Sequence, residues 1–299
     1  MLSLVICVFT FVLLRKPTRA MRRRLTYRIR IWRNRSFWSS VHPQQPRSPR
    51  LRIIVSLTTS PSRLKQLEPV LRSLTVGQTR PPNEIHLNLP WKFNRGTEEF
   101  VLPEFLSRYP VTIFRVDDVG PATKLIPTLA RITDPNTWVL TVDDDVRHLP
   151  AAIEQLECAA VADSTSAFGY SDYALWRKWK PGTPVDFLAG YGGCLYKRSF
   201  FGANFTAYFE QASANRSCYF QDDIVISNYL ELQGVRRWRI APLECNITIM
   251  KKRGCLLEQA AGKDALSHGA GSGMNTRDRS LNAIKYLERA GLATQRTSN

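Results

Sequence analysis

Short apolar, β-branched runs alternate with helix-type patterns from residue 51 onwards, and this alternation constrains the fold more than any other feature. The runs at 51–58 (LRIIVSLT), 84–89 (EIHLNL), 111–116 (VTIFRV) and 138–142 (WVLTV) are typical of buried strands. Alternating strands and helices fold into a mostly parallel central sheet with helices on both faces. We therefore predict an α/β fold in which ligands bind beyond the carboxyl ends of the strands.

Four helices are predicted between and after these strands. Each predicted start or end has a local signal, such as Pro at the first turn or Gly after the last turn. The first helix follows Thr59-Ser60-Pro61 and carries its apolar residues on one face. In the first predicted helix the inward-facing residues are Leu64, Leu67, Val70, Leu71 and Leu74. The other three predicted helices cover about 122–132, about 150–161, and Asp222 to Gly234.

Three consecutive aspartates, Asp143, Asp144 and Asp145, follow the fourth predicted strand directly. Adjacent carboxylates repel one another, so their place at the end of an apolar strand indicates a bound cation. Alternate residues at a strand end point to the same side, and Asp143 and Asp145 are expected to converge on Mn²⁺ or Mg²⁺. Such an ion also binds a substrate diphosphate and neutralises charge on a leaving group. The alternative is a solvated acidic turn in which Asp145 caps the next helix.

The strand followed by DDD resembles the D-x-D motif of GT-A-fold glycosyltransferases, particularly the family-2-like enzymes. The segment 53–64 (IIVSLTTSPSRL) resembles their first strand and nucleotide-binding loop, and 117–129 (DDVGPATKLIPTL) resembles the region that helps to hold the donor. The resemblance covers about residues 51–290. It implies a GT-A (Rossmann-like) fold and the metal-dependent transfer of a sugar from a nucleotide-sugar to an acceptor hydroxyl.

That resemblance also implies roles for individual residues on the donor side. Asp143 and Asp145 would contact the metal and the donor diphosphate, and Asp144 would lie near the donor sugar or ribose. Lys124 is suited to offset phosphate charge as a point cation, and a surface lysine at a helix start is the alternative. For Arg63 a surface position is the alternative, and for the glycines an ordinary bulge. The donor-binding candidates are Thr58, Pro61, Arg63, Asp118, Lys124, Asp144, Gly192 and Gly193.

A second acidic pair, Asp222 and Asp223, precedes an apolar helix pattern. Inverting glycosyl transfer needs a carboxylate base that takes the proton of the acceptor hydroxyl. The pair resembles the Glu-Asp motif at the corresponding place in inverting family-2-like enzymes, with Asp in place of Glu. The resemblance makes Asp223 the base and Asp222 an acceptor-binding residue. A helix N-cap is the alternative role for Asp222.

A late histidine, His268, lies in the Gly-rich segment 264–275 (DALSHGAGSGMN). A neutral imidazole suits Mn²⁺ as a protein ligand. Many GT-A enzymes use a late histidine in this way, so the resemblance implies that His268 is a third metal ligand beside Asp143 and Asp145. An ordinary loop histidine is the alternative.

The first 50 residues differ in composition from the rest of the chain. Residues 2–14 are an uncharged, mostly apolar run, and 13 of the 42 Lys and Arg residues lie in 1–52, which holds no Asp or Glu. We predict a signal-anchor or signal-like segment that contacts a membrane, and a transit peptide is the alternative. The predicted organisation is 1–14 apolar segment, 15–50 basic Pro- and Ser-containing stem, 51–290 GT-A domain and 291–299 tail.

Four Asn-x-Ser/Thr triplets favour the secretory pathway, and with it a glycoprotein in the Golgi or endoplasmic-reticulum membrane with a luminal catalytic domain. They begin at Asn34, Asn204, Asn215 and Asn246. The predicted partners are a nucleotide-sugar donor and a glycan, protein or lipid acceptor. The folded part has no zinc-finger spacing, RNA-binding aromatic motif or basic recognition helix, so no nucleic-acid partner is expected.

Two other classes of function remain compatible with the sequence. A nucleotidyltransferase also uses carboxylate-bound metals on an α/β sheet, and a non-catalytic carbohydrate- or partner-binding protein would retain only the fold. The sequence lacks both a P-loop and a G-x-G-x-x-G motif after its first strand, which argues against a P-loop NTPase and a standard dinucleotide fold.

Overall fold

The computed structural model describes residues 50–173, 175, 184–240 and 274–293. The strands in these ranges form one seven-stranded sheet. They are β1 Ile53–Thr58, β2 Glu84–Pro90, β3 Val111–Val116, β4 Trp138–Thr141, β5 Ala167–Gly169, β6 Cys194–Lys197 and β7 Arg237–Arg239.

Helices precede or follow most of the strands in these ranges. The α-helices are α1 Pro61–Leu64, α2 Glu68–Leu74, α3 Ile126–Arg131, α4 Ala152–Ala162, α5 Phe205–Ser213, α6 Arg216–Tyr219, α7 Asp222–Leu232 and α8 Thr276–Arg289. Short 3-10 helices span Glu104–Arg108, Gly120–Lys124, Gly190–Gly192 and Arg198–Phe200.

The sheet has the strand order β3-β2-β1-β4-β6-β5-β7. The pairs β2–β3, β1–β2, β1–β4 and β5–β7 are parallel, whereas β6 runs antiparallel to both β4 and β5. In the centre, Val55 of β1 lies opposite Ile85 of β2 and Leu140 of β4. The structure therefore confirms the prediction of an α/β fold with a mostly parallel central sheet.

Two predicted helices are each divided in two by a proline. The predicted apolar face of the first helix is buried as expected, but α1 ends at Leu64 and α2 begins at Glu68. The segment 122–132 likewise becomes a 3-10 turn followed by α3. Pro69 and Pro127 stand at the second residue of α2 and α3, and each lacks the N–H that a continuous helix would need there.

The second half of the domain packs α5–α8 beside the antiparallel part of the sheet. Helix α7 is buried over its first nine residues, Asp222–Leu230. Its Tyr229 ring packs against Phe201 and Phe205, and α8 buries Ala283, Ile284 and Leu287. Burying the start of α7 places two aspartates inside the domain, where an ionised carboxylate needs a compensating partner.

The predicted membrane location requires a correction. No helix in the described ranges is both long enough and apolar enough to cross a membrane. This finding contradicts the predicted Golgi or endoplasmic-reticulum membrane location. The apolar segment 1–14 and the stem up to residue 49 lie outside the described residues, and so does the predicted membrane contact of the N-terminus.

Two of the four sequon asparagines lie in the described part, and both accept hydrogen bonds within the chain. Asn204 Oδ1 accepts from the Tyr229 hydroxyl at 2.7 Å, and Asn215 Oδ1 accepts from the backbone N–H of Ser217 at the start of α6. Asn34 and Asn246 lie outside the described residues. Glycosylation stays a prediction.

Candidate active site

The three consecutive aspartates lie in a turn at the carboxyl end of β4. The strand ends at Thr141, so the alternation of side chains used to predict convergence of Asp143 and Asp145 does not apply here. A turn conformation at Asp144 and Asp145 sets the directions of the side chains instead. The two side chains nevertheless interact electrostatically. Burial is the largest cause that raises the pKa of Asp145, and repulsion by the negative charge of Asp143 is the second.

Arg63 of α1 joins the β1–α1 segment to this turn. Its Nη2 lies 2.5 Å from Asp144 Oδ1 and 2.7 Å from Asp145 Oδ2. The Thr59 hydroxyl donates to Asp144 Oδ2 at 2.5 Å. Burial raises the pKa of Asp144 to about 6, against the opposing effect of Arg63. Arg63 is therefore a site residue rather than a solvated surface arginine, and Thr59 is a contact that the sequence analysis missed.

Lys124 connects this turn to the second acidic pair. Its Nζ lies 3.0 Å from Asp143 Oδ1, 3.4 Å from Asp222 Oδ2 and 3.9 Å from Asp223 Oδ1. The Lys124 side chain is only 8% exposed, which excludes the surface-lysine alternative. Burial alone would lower the pKa of Lys124, but the three carboxylates together raise it well above its ordinary value. The residue is therefore a buried ammonium ion shared by both acidic segments.

A buried polar network holds the backbone of Lys124. The Ser56 hydroxyl of β1 donates to the Lys124 carbonyl at 2.5 Å and lies 2.7 Å from the Thr128 hydroxyl of α3. Asn88 of β2 donates through Nδ2 to Thr128 Oγ1 at 2.9 Å and to Ser56 Oγ at 3.1 Å. Because buried polar groups need partners, this network fixes the 3-10 turn that carries Lys124 against the two central strands.

Asp223 is held by two donors from the segment between β5 and β6. Its Oδ2 accepts from the backbone N–H of Gly190 at 2.7 Å and from the Tyr173 hydroxyl at 3.2 Å. Burial, and after it the negative charge of Asp222, raise the pKa of Asp223 to about 7. A carboxylate with this pKa is divided between its two protonation states near neutral pH. This is the property expected of a general base.

Asp222 occupies the first residue of α7, and Gln221 precedes the helix as its N-cap. The N-cap alternative for Asp222 is therefore not what the structure shows. Burial raises the pKa of Asp222, and among the described residues its Oδ2 has no hydrogen-bond partner. The ammonium of Lys124, 3.4 Å from this oxygen, compensates the negative charge of Asp222 without forming a hydrogen bond of good geometry.

The glycine-bearing segment before β6 lies close to Asp223, Lys124 and His148. A Cβ on Gly190 would lie 2.6 Å from Asp223 Oδ1 and 2.9 Å from Lys124 Nζ, so only glycine fits there. Gly193 has φ +91°, a conformation that favours glycine, and a Cβ there would lie 3.3 Å from the His148 ring. Gly192 is buried between them. Donor contact by Gly192 and Gly193 stays a prediction.

His148 is a second residue that the sequence analysis missed. Burial lowers its pKa to about 4, so the imidazole is neutral. Its Nε2 is buried without a hydrogen-bond partner in the described part of the chain. His148 follows Asp145 by only three positions in the sequence. Its proximity to Gly193 arises only when the turn after β4 packs against the glycine segment in the folded chain, so the sequence gives no signal for it.

The remaining predicted donor-binding residues lie at the carboxyl ends of β1 and β3. Thr58 Oγ1 donates to the Asn88 carbonyl at 2.8 Å, and Pro61 is the buried first residue of α1. Asp118 follows β3 and accepts from the backbone N–H groups of Asn94 and Gly120, each at 2.8 Å. These positions agree with the expected edge of the sheet, and donor binding by the three residues stays a prediction.

The predicted metal ligands are two carboxylates and one residue outside the described ranges. Within those ranges, no cluster of three or more His, Cys, Asp and Glu side chains forms a metal site. Asp143 and Asp145 have side chains 32% and 24% exposed, and one oxygen of each is paired with Lys124 or Arg63. Partly exposed carboxylate oxygens are donors that Mn²⁺ and Mg²⁺ accept, so the donor set fits such an ion. His268 lies outside the described residues.

No protein-family model and no curated protein matches the chain. Among solved structures it is similar to TarS 1–349 from S. aureus, with 11% identity and a TM-score of 0.43 over 80% of this chain and 73% of that one. The mannosyltransferase PcManGT from Pyrobaculum calidifontis, in complex with GDP-Man and Mn²⁺, has 16% identity and a TM-score of 0.40 over 82% of this chain and 77% of that one.

A third similar structure is 4-diphosphocytidyl-2C-methyl-D-erythritolsynthase from Anaerococcus prevotii DSM 20548. It has 16% identity and a TM-score of 0.41 over 68% of this chain and 95% of that one. The similar structures thus include a sugar transferase and a synthase of another kind. At these scores the likeness does not decide the activity, so the functional argument rests on the site.

Proposed function

We propose that this chain is a metal-dependent glycosyltransferase that moves a sugar from a nucleotide-sugar donor to an acceptor hydroxyl with inversion. The observation that carries the proposal is the position of Lys124. Its ammonium lies at ion-pair distance from Asp143 at the end of β4 and from Asp222 and Asp223 at the start of α7. A group suited to holding the donor and a group suited to removing a proton therefore lie side by side.

On the donor side, Asp143 and Asp145 would hold Mn²⁺ or Mg²⁺. When bound, the ion would supply positive charge to the departing nucleoside diphosphate. Arg63 pairs with Asp144 and Asp145 and keeps the turn in one conformation. Fixing charged groups before the substrate arrives lowers the reorganisation needed during the reaction.

On the acceptor side, Asp223 accepts the proton of the attacking hydroxyl. The acceptor oxygen forms a bond to the anomeric carbon, the bond from that carbon to the diphosphate oxygen breaks, and the electron pair leaves with the diphosphate. A single displacement of this kind inverts the anomeric configuration. Since the pKa of Asp223 is about 7, a substantial fraction of the carboxylate is ionised at neutral pH.

The test is a panel of nucleotide-sugars incubated with Mn²⁺ and a set of mono- and oligosaccharide acceptors, with products identified by mass spectrometry. We expect a nucleoside diphosphate and a glycosylated acceptor from the wild-type chain, and loss of both with Asp143→Asn or Asp223→Asn. Asp134→Asn is the matched control, because Asp134 precedes β4 at the opposite edge of the sheet and, within the described residues, its side chain accepts its hydrogen bonds from Asn136 and Thr137 of its own turn.

Other outcomes would favour the competing functions. Release of pyrophosphate from a nucleoside triphosphate, with no sugar transfer, would indicate a nucleotidyltransferase. Absence of any product, together with carbohydrate binding that Asp143→Asn leaves unchanged, would indicate a non-catalytic binding protein.

A further inference from the structure

We propose that Tyr173 is a positioning residue for Asp223, and that Oδ1 of Asp223 is the oxygen that accepts the acceptor proton. The Tyr173 hydroxyl and the Gly190 N–H both donate to the other oxygen, Oδ2, and hold the carboxylate in one orientation. This inference rests on the proposed function and deepens it, because it names the reacting atom and the group that aims it.

The two oxygens of Asp223 have different surroundings. Oδ2 receives hydrogen bonds at 2.7 Å and 3.2 Å. Within the described residues, Oδ1 receives no hydrogen bond, and the ammonium of Lys124 lies 3.9 Å from it. A carboxylate oxygen that already accepts two hydrogen bonds has fewer lone pairs for a new proton, so Oδ1 is the available acceptor.

Gly190 keeps space open beside that oxygen. A side chain at this position would place its first carbon 2.6 Å from Oδ1. The same residue therefore donates to Oδ2 through its backbone and, because it has no side chain, does not itself cover Oδ1. An acceptor hydroxyl would therefore approach a carboxylate in which Oδ2 already accepts two hydrogen bonds and Oδ1 accepts none from the described residues.

Tyr173 is anchored by its own segment. Its backbone N–H donates to the Phe187 carbonyl at 3.2 Å. The neighbouring Asp172 pairs through Oδ1 with Arg239 Nη1 of β7 at 2.6 Å. These contacts anchor residues 172 and 173, so the phenol is presented to Asp223 by a held backbone.

The phenol acts only as a donor in this environment. Burial, followed by the charge of Asp223, raises the pKa of Tyr173 well above its ordinary value. The other groups that face Asp223 are Asp222 on its own helix, Lys124, Asp143 at the end of β4, and Cys194 and Tyr196 on β6. Burial also raises the pKa values of Cys194 and Tyr196, so both are neutral at working pH.

The test compares Tyr173→Phe with Tyr170→Phe. Each substitution removes one buried hydroxyl, but the Tyr170 hydroxyl donates to the Ala152 carbonyl at 2.7 Å, away from Asp223. For Tyr173→Phe we expect kcat to fall about tenfold, with donor KM changed less than about twofold, since one hydrogen bond to a charged group is lost. The acid limb of the kcat pH profile should move to higher pH, because the ionised carboxylate loses a donor. Tyr170→Phe should have the same kcat as the wild type, and the acid limb of its kcat pH profile should lie at the same pH.

A second variant has the opposite expected sign. Fluorotyrosine at position 173 keeps the hydroxyl and nearly the same size but makes it a stronger donor, so the acid limb should move to lower pH. This variant also keeps the inference testable if Tyr173→Phe fails to fold.

The two proposals fail in different ways. If the wild type and Tyr173→Phe share one kcat and one pH profile while Asp223→Asn is inactive, Tyr173 does not position the base and the proposed function stands. An unmoved limb in the fluorotyrosine variant leads to the same conclusion. A wild-type chain that transfers no sugar from any donor overturns the proposed function, and the inference with it.

Discussion

In the described part of the chain, the buried ammonium of Lys124 and the guanidinium of Arg63 pair with the aspartates of the candidate site. Five carboxylates lie around them: Asp143, Asp144 and Asp145 in the turn, and Asp222 and Asp223 at the start of α7. Burial is the largest cause that raises the pKa values of Asp144 and Asp223, to about 6 and about 7, and the neighbouring cations offset only part of that effect. This charge distribution suits a divalent cation, and in the proposed function that cation would bind together with a nucleotide-sugar.

Asp223→Asn is the most informative single substitution at the residue scale. The amide has the same shape but does not accept the acceptor proton, so we expect the rate of sugar transfer to fall about 10²- to 10⁴-fold. Donor binding should be retained, because the proposed ligands of the donor are Asp143 and Asp145, whereas Asp223 lies at the start of α7. Single-turnover transfer and donor titration by calorimetry would measure the two quantities. Equal losses of donor affinity and of rate would contradict the role of Asp223 as base.

The pH dependence of the rate follows from the same carboxylate. Its pKa is raised to about 7, and the base must be ionised to act. The kcat/KM of the wild-type chain should therefore rise with pH and level off above about 7. Measurements from pH 5 to 9 at saturating Mn²⁺ would show this limb. A rate that falls as pH rises through 7 would require a protonated group in place of an ionised base.

The residues of the site were predicted from sequence with uneven success. The acidic residues stand out because charge at the end of an apolar strand, or before an apolar helix, is locally unusual. Lys124 and Arg63 lie in segments that resemble a known family. Thr59, Tyr173 and His148 have no such local signal, because their roles depend on loops that meet only in the folded chain.

At the scale of secondary-structure elements, the strands β1–β4 follow the predicted ranges closely because each is a compact β-branched run. The division of two predicted helices was not foreseen, because the helical spacing of apolar residues continues on both sides of Pro69 and Pro127. The antiparallel entry of β6 was not predicted either. Gly192 and Gly193 are predicted as donor-binding residues, with an ordinary bulge as the alternative, and neither interpretation gives a direction for the strand that follows.

Gly190→Ala tests how the segment before β6 and the start of α7 fit together. The added methyl group would overlap Asp223 Oδ1 and Lys124 Nζ, so these side chains must move apart. We expect the free energy of unfolding to fall by about 1–3 kcal/mol, as for other overpacked sites, and transfer to be largely lost. Urea unfolding and the transfer assay would measure both.

The matched control for this substitution is Gly96→Ala. A Cβ there has its nearest contact at 3.4 Å from a Phe93 ring atom, which is ordinary van der Waals distance. Gly96→Ala should keep the stability and activity of the wild type. If Gly190→Ala is equally harmless, the close approach of Gly190 to the carboxylate is not a feature of the folded protein.

At the scale of the whole molecule, burying these carboxylates makes stability depend on pH. The pKa of Asp144 rises from 3.8 to about 6 and that of Asp223 from 3.8 to about 7. The folded state therefore binds these protons more tightly than the unfolded state. The resulting stabilisation is complete below about pH 4 and is lost as pH rises through about 6 and 7.

In metal-free protein, the contribution of these two groups should make the free energy of unfolding lower at pH 8 than at pH 5. Burial lowers the pKa of His148 to about 4, which acts in the opposite direction, so the comparison is made by urea unfolding of the wild type and of Asp144→Asn at both pH values. The variant should lose less stability than the wild type between pH 5 and pH 8. Mn²⁺ should stabilise the chain more at pH 8, where its carboxylate ligands are ionised. Equal stabilisation by Mn²⁺ at the two pH values would indicate an ion bound elsewhere.

The central claim is that Asp223 removes the acceptor proton during a single displacement at the donor sugar. The most direct test is proton NMR of the first glycosylated product, made from a donor of known anomeric configuration. We predict that the product has the opposite configuration to the donor, and that Asp223→Asn forms it at a rate reduced about 10²- to 10⁴-fold. A product that retains the configuration of the donor would contradict the claim.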